Sequence, residues 1–183
     1  MPHIELPDGI PGINGPMMKY PETAQHLRGL AEVLLRRPSS LTPAERELIA
    51  TYVSAQNNCH FCTNSHAAIA RHLYGEDRTI VDQAIADFHQ AQLSDKMKAL
   101  LVIAGKVQQG GRRVTEEDVA LARAAGADDK AIHDTVLIAA AFCMYNRYVD
   151  GLATWAPEDA SAYAQRGAEV AEKGYLDRRA EDV

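Results

Sequence analysis

The sequence has 183 residues and a net charge of −6, with 19 Lys and Arg against 25 Asp and Glu, a balance that gives no electrostatic footprint for a phosphate backbone or an anionic membrane. It is long enough to bury roughly 70% of its unfolded surface, yet its longest apolar run, around Ile138 to Met144, falls far short of the roughly 18 residues that span a bilayer. Met1 to Gly9 carry no basic start, apolar stretch or cleavage site, so the expectation is a cytoplasmic protein that binds neither nucleic acid nor membrane.

Ala, Leu, Glu, Arg and Gln fill the long stretches between Gly and Pro punctuation, which predicts an all-α chain, a bundle of about six to eight helices in a single domain over 1–183. Residues 1–20 read as an extended arm, because Pro2 to Pro16 holds prolines and glycines too densely for regular structure. A first helix is expected from Pro21 to about Arg36, with Leu27, Leu30, Ala31, Leu34 and Leu35 on one face and Pro38 closing it. Thr42, Pro43 and Glu45 form a capping box that starts a helix running to about Ala55. Gln56-Asn57-Asn58 break it, and the next helix runs from about Cys59 to Tyr74 before Gly75, making 41–75 a helical hairpin. Ser94 caps a helix over Asp95 to Gln109, Thr115 with Asp118 caps a short one ending at Gly126, and Asp128 opens a long helix over Asp129 to Leu152. That helix is apolar around most of its circumference from Val136 to Tyr145, the mark of burial in a bundle or an oligomer interface. A last helix is expected from about Pro157 to Glu172.

Three cysteines are too few for a disulfide framework, and the close pair Cys59 and Cys62 points to redox or metal chemistry. Cys59, Cys62 and His66 stand at i, i+3 and i+7, which puts two sulfurs and an imidazole on one helix face. At a helix N-terminus, unpaired N–H groups and the positive dipole end favour thiolate over thiol, and an imidazole one turn away can take the proton. Glu47 precedes Cys59 by about 18 Å on a continuous helix, so it reaches the His66 face only if the Asn break folds the two helices back on each other. His60 beside Cys59 reads as a solvent-facing helix histidine or as an auxiliary to that thiol. A zinc site is the competing reading, with His66 as third ligand and His72 or Cys143 as fourth, although no second ligand pair follows in the chain.

Glu47, Cys59, Cys62 and His66 at this spacing, with Glu45-Arg46-Glu47-Leu48-Ile49-Ala50 and Val53 to Asn58 around them, resemble the signature of the alkylhydroperoxidase D family, within the carboxymuconolactone decarboxylase-like superfamily. The flanking segments are similar to its peroxidase-related branch, strongly over Leu41 to Gly75 and more loosely over Leu93 to Leu152. The resemblance implies an alkylhydroperoxidase D-like helical fold, assembly into homo-oligomers (trimers or hexamers) and an antioxidant, cysteine-based peroxidase of the peroxiredoxin type acting on a small hydroperoxide. It also implies a peroxidatic Cys62, a resolving Cys59 nearer solvent, and a proton relay of Glu47 and His66. No bound cofactor or metal is expected; an external dithiol, lipoamide or a thioredoxin-like protein, would reduce the disulfide. The best-known peroxidase members carry a second His just before the distal cysteine, where this chain has Phe61. Two alternatives stand beside this reading. One is a lyase acting on a lactone or carboxylated ring through His66 and Glu47, the other a non-catalytic, zinc-stabilised or redox-sensing helical oligomer.

Overall fold

Side-chain caps fix where most of the long helices begin. In the computed structural model, which describes residues 1–176, nine α-helices follow one another: α1 (Asn14–Lys19), α2 (Pro21–Arg36), α3 (Pro43–Gln56), α4 (His60–Tyr74), α5 (Thr79–Asp87), α6 (Asp95–Gln109), α7 (Glu116–Ala124), α8 (Asp129–Gly151) and α9 (Ala164–Lys173). No strand occurs among the described residues. Thr42 and Glu45 complete their capping box, the hydroxyl accepting from the Glu45 N–H at 3.2 Å and the carboxylate accepting from the Thr42 N–H at 2.8 Å. Ser94, Thr115 and Asp128 cap α6, α7 and α8 in the same way.

The nine helices of the described residues exceed the expected six to eight, and two of them, α1 and α5, are not among the expected elements. The supposed extended arm contains α1, and α5 follows a short 3-10 turn at Gly75–Asp77 with no side-chain cap to announce it. The last helix also starts later than expected. Asp159 accepts from the Ser161 N–H and holds a 3-10 turn over Ala160–Tyr163, so α9 opens only at Ala164.

α3 is the central helix. Leu48, Ile49, Ala50 and Val53 are fully buried, and it packs against α4, α6 and α8 through Leu100, Leu101, Ile138 and Phe142. Burial on nearly every side explains why α3 tolerates charge only where that charge is paired. Arg46 is one such case, donating to the carbonyls of Leu34 at 3.0 Å and Arg37 at 2.8 Å and so tying the end of α2 to α3.

The α3–α4 turn is held by amides. Asn58 takes the left-handed conformation that reverses the chain. The Asn57 side chain donates to Asn146 Oδ1 at 2.8 Å and accepts from Gln108 Nε2 at 2.9 Å, while Asn146 Nδ2 donates to Ser54 Oγ at 3.1 Å. The polar break is therefore anchored to both α6 and α8, which fixes the angle at which α4 leaves.

Two further segments cover α4. The arm docks with the His3 N–H donating to the Leu152 carbonyl and the Gly12 N–H to that of Trp155, and Gly12, at φ +56°, lies so close to Phe61 that a Cβ would fall 2.2 Å from its ring. α9 crosses α4 at Gly167, where a Cβ would stand 2.7 Å from the Ala68 Cβ and 2.9 Å from its carbonyl carbon. Because those neighbours are backbone or a methyl on it, Gly167→Val is expected to push the helices apart and cost about 1–3 kcal/mol. Calorimetry would read this as a fall in Tm of about 2–4 °C per kcal/mol; an unchanged Tm would contradict the close approach.

Candidate active site

The N-terminus of α4 places both sulfurs. Cys59 is the N-cap, in extended conformation, and Cys62 is the third helical residue, so the sequence assignment to the first turn is off only in that Cys59 precedes the helix. Both are free thiols. They pack with Phe61, Val149 and Tyr163 in a small apolar cluster separate from the main core.

Burial reverses the expectation that Cys59 lies nearer solvent. Cys59 is 0% exposed and Cys62 3%, and it is Cys62 that lines a cavity of about 180 Å³ together with His66. The arm and the segment from Pro157 to Tyr163 lie over His60 and Phe61 at the start of α4, and Cys59 is buried in one cluster with Phe61 and Tyr163. The Cys59 thiol is held well above its ordinary pKa, first because it shares its hydrogen with Cys62 and next because it is buried, with Asp150 as a further acceptor. Tyr163, beside the pair, is pushed up to about 12 by burial and by the charge of either thiolate, and its hydroxyl donates to the Pro157 carbonyl at 2.9 Å.

Glu47 comes fully into the site because the hairpin does fold back. It is 0% exposed, and its Oε2 accepts from His66 Nδ1 at 2.7 Å. Its Oε1 accepts from Arg36 Nη2 at 2.8 Å and from the Tyr175 hydroxyl at 2.6 Å. Burial pushes the carboxyl up, but the charge and hydrogen bond of His66, the charge of Arg36 and the Tyr175 hydroxyl outweigh it and hold Glu47 below the usual carboxylate value. An ionised carboxylate can only accept, so Nδ1 carries the hydrogen and Nε2, unpartnered among the described residues, is left to exchange protons. Phe142 meets the imidazole edge to face at 4.5 Å and fixes its plane.

Arg36 and Tyr175 were not legible as site residues. Arg36 reads as an ordinary basic residue in the last turn of a helix, and Tyr175 lies 128 residues after Glu47, past the end of α9. Its N–H donates to Glu32 Oε2 at 2.9 Å, and the Arg36 guanidinium lies 5.2 Å from its ring centroid, so both ends of the residue are held. Burial first, and then the charge of Glu47, push the phenol well above its ordinary pKa, which keeps it a donor.

Other sequence candidates fall elsewhere. His60 is exposed and bonds the Pro157 carbonyl through Nε2 at 2.9 Å, so its ring holds the covering segment. Cys143 is buried against Asn57 and the Gln108 carbonyl, and His72 lies 3.7 Å from Glu172. The residues weighed for zinc are thus dispersed, and no group of three or more potential ligands assembles among the described residues. Arg147, on the same helix as Cys143, donates to the Cys143 carbonyl at 2.9 Å.

Comparison with known proteins follows the same outline. Residues 21–87, which include Arg36, Glu47, both cysteines and His66, match the carboxymuconolactone decarboxylase family. No curated protein matches the sequence. Among solved structures, the chain is similar to an alkylhydroperoxidase core from Ralstonia eutropha JMP134, an uncharacterized peroxidase-related protein, at 25% identity and a TM-score of 0.76 over 92% of this chain and 95% of that one. It shares its fold with an uncharacterized peroxidase-related protein from Silicibacter sp. TM1040, at 24% identity and a TM-score of 0.71 over 89% of this chain and 94% of that one. The same holds for a protein of unknown function from Agrobacterium tumefaciens, at 21% identity and a TM-score of 0.67 over 81% and 99%. The match to the carboxymuconolactone decarboxylase family spans residues 21–87, and the fold of the chain is that of the alkylhydroperoxidase D-like, peroxidase-related structures.

Proposed function

We propose that the protein is a thiol-dependent hydroperoxide reductase in which Cys62 attacks, Cys59 resolves, and Glu47 with His66 moves the protons. The observation that carries this reading is the Glu47–His66 hydrogen bond in a cavity wall that Cys62 shares. The Cys62 thiolate attacks the terminal oxygen of R–O–OH; the O–O bond breaks, the alkoxide takes a proton from His66 and leaves as ROH, and Cys62 becomes a sulfenic acid. Cys59 then forms the S–S bond to Cys62, its proton and the sulfenic oxygen departing as water. An external dithiol, lipoamide or a thioredoxin-like protein, reduces the disulfide by exchange and becomes oxidised in turn. Neither a bound metal nor an organic cofactor enters this cycle.

The apolar character of the cavity and the thiol on its wall favour this chemistry over a lyase that would use Glu47 and His66 alone. Val136, Leu137 and Met144 form an exposed apolar stripe on α8, which supports assembly of the chain with copies of itself. No helix of the described residues is long and apolar enough to cross a membrane.

The test is thiol counting on the reduced protein before and after one equivalent of cumene hydroperoxide, with peptide mapping. Loss of two thiols as a Cys59–Cys62 disulfide is expected; retention of both moves the chemistry to the lyase. His66→Gln is expected to slow the oxidation by about 10²–10³-fold; an unchanged rate would remove His66 from the relay.

A further inference from the structure

The cavity lined by Cys62 and His66 is also lined by two arginines, Arg28 from α2 and, at its exposed side, Arg166 from α9. Nothing in the proposed chemistry uses them. Among the described residues Arg28 forms no ion pair, and Arg166 meets only Glu169, one turn on along its own exposed face. Burial, and then the charge of Arg166, disfavour the charged form of Arg28, and no carboxylate stands among the residues that line the cavity with them. The rest of the lining is mostly apolar, with Met17, Leu27, Ile69, Phe142 and Val170 on the walls.

The two chemistries occupy different stations along the cavity. Arg28 precedes Arg36 by eight residues, about 12 Å along α2, and Arg36 is the residue that grips Glu47. A volume of about 180 Å³ slightly exceeds the roughly 150 Å³ in which a benzene ring is housed, enough for a ring or a short chain between the arginines and the thiol.

We infer that the substrate class is an organic hydroperoxide with a carboxylate at its far end, the apolar body lying in the cavity, the carboxylate between Arg28 and Arg166, and the hydroperoxide at Cys62 and His66. This inference rests on the peroxidase reading for the reacting end and is independent of it for the anionic end. A planar guanidinium pairs a carboxylate through two parallel N–H donors, and two of them relieve their mutual repulsion on it. Hydrogen peroxide carries neither an apolar body nor an anion and uses neither part of the cavity.

The experiment compares three matched hydroperoxides: cumene hydroperoxide, para-carboxycumene hydroperoxide and the methyl ester of the latter. The rate of thiol loss in the reduced full-length protein is expected to be about tenfold higher for the acid than for its ester, a ratio that shrinks with added salt. In Arg28→Gln and in Arg166→Gln the ratio is expected to fall toward one, while Arg28→Lys keeps part of it. Equal rates for acid and ester in the unsubstituted protein, or a preference that survives the double Gln variant, would overturn the inference. Binding gives a second readout, free of the redox step: para-isopropylbenzoate is expected to raise the Tm of Cys62→Ser protein, and to do so less in Cys62→Ser/Arg28→Gln. Arginine-dependent binding without thiol oxidation by any of the three hydroperoxides would uphold the anion site and sink the peroxidase reading. Oxidation of Cys62 by all three at one rate, without arginine-dependent binding, would do the reverse.

Discussion

Cys62→Ser protein is expected to consume no peroxide, whereas Cys59→Ser protein should consume one equivalent per subunit and stop. The asymmetry follows from where the sulfurs lie. Cys62 lines the cavity and stands one turn from His66, so under the proposed mechanism a hydroperoxide held there would meet this sulfur and the imidazole that would protonate the leaving alkoxide. Cys59 is fully buried, and its thiol is held above its ordinary pKa by its hydrogen bond to Cys62 and by burial. Removing the nucleophile is expected to lower the rate of consumption by about 10³-fold or more. Removing the resolving thiol leaves the first step intact and strands Cys62 as a sulfenic acid, which mass spectrometry reads as one added oxygen on the Cys62 peptide. Steady turnover in both variants would take the chemistry away from the thiols and leave Glu47 and His66 as the acid and base of a lyase.

The burial of Cys59 sets a further requirement on the cycle. In the proposed cycle an external dithiol would have to reach one sulfur of the disulfide, and Cys62 is the one on the cavity wall. Either the reductant attacks Cys62 through the cavity, or the cover formed by the arm and the Pro157–Tyr163 segment opens. That cover is held by discrete contacts: the Gly12 N–H to the Trp155 carbonyl at 2.7 Å, and His60 and Tyr163 each to the Pro157 carbonyl at 2.9 Å. The histidine at position 60, read from the sequence as a solvent-facing helix histidine or as an auxiliary to the thiol, is exposed and belongs to the closure of the site.

The parts of the fold that were legible are those whose information is local. Thr42 with Glu45, Ser94, Thr115 with Asp118, and Asp128 announce their helices through hydrogen bonds spanning three residues, and the helices start where those residues stand. α5 has no such cap and went unread, as did α1 within a segment dense in Pro and Gly. The site divides in the same way. Cys59, Cys62 and His66 share a helix face, and Glu47 joins them through a hairpin whose turn residues are visible in the chain. Arg36 and Tyr175 reach Glu47 only through packing of α2 and of the segment after α9, and neither lies in a local pattern that marks it. Arg28 and Arg166 are hidden for the same reason, since nothing in one helix signals a charge on another.

Arg36→Met is expected to destabilise the protein by about 3–5 kcal/mol at neutral pH, because it leaves the fully buried Glu47 carboxylate without its permanent cation. His66 and Tyr175 remain, but the imidazole is charged only when protonated and the phenol is neutral. The pH dependence separates this cause from lost packing. In the unsubstituted protein Glu47 lies below its ordinary pKa in the folded state, so its contribution is fully present above the unfolded value of about 4.3 and is lost as pH falls through the folded value. In Arg36→Met burial is expected to dominate and raise the carboxyl above its unfolded value, so that ionisation costs stability as pH rises above about 4.3. The gap between the two proteins is therefore expected to be widest near neutrality and to narrow on acidification, as read by urea denaturation across that range. Arg36→Met/Glu47→Gln should recover most of the loss, since a neutral amide replaces the stranded charge while still meeting the Tyr175 hydroxyl. A gap independent of pH, or no recovery in the double variant, would assign Arg36 to packing alone and remove its electrostatic grip on the relay.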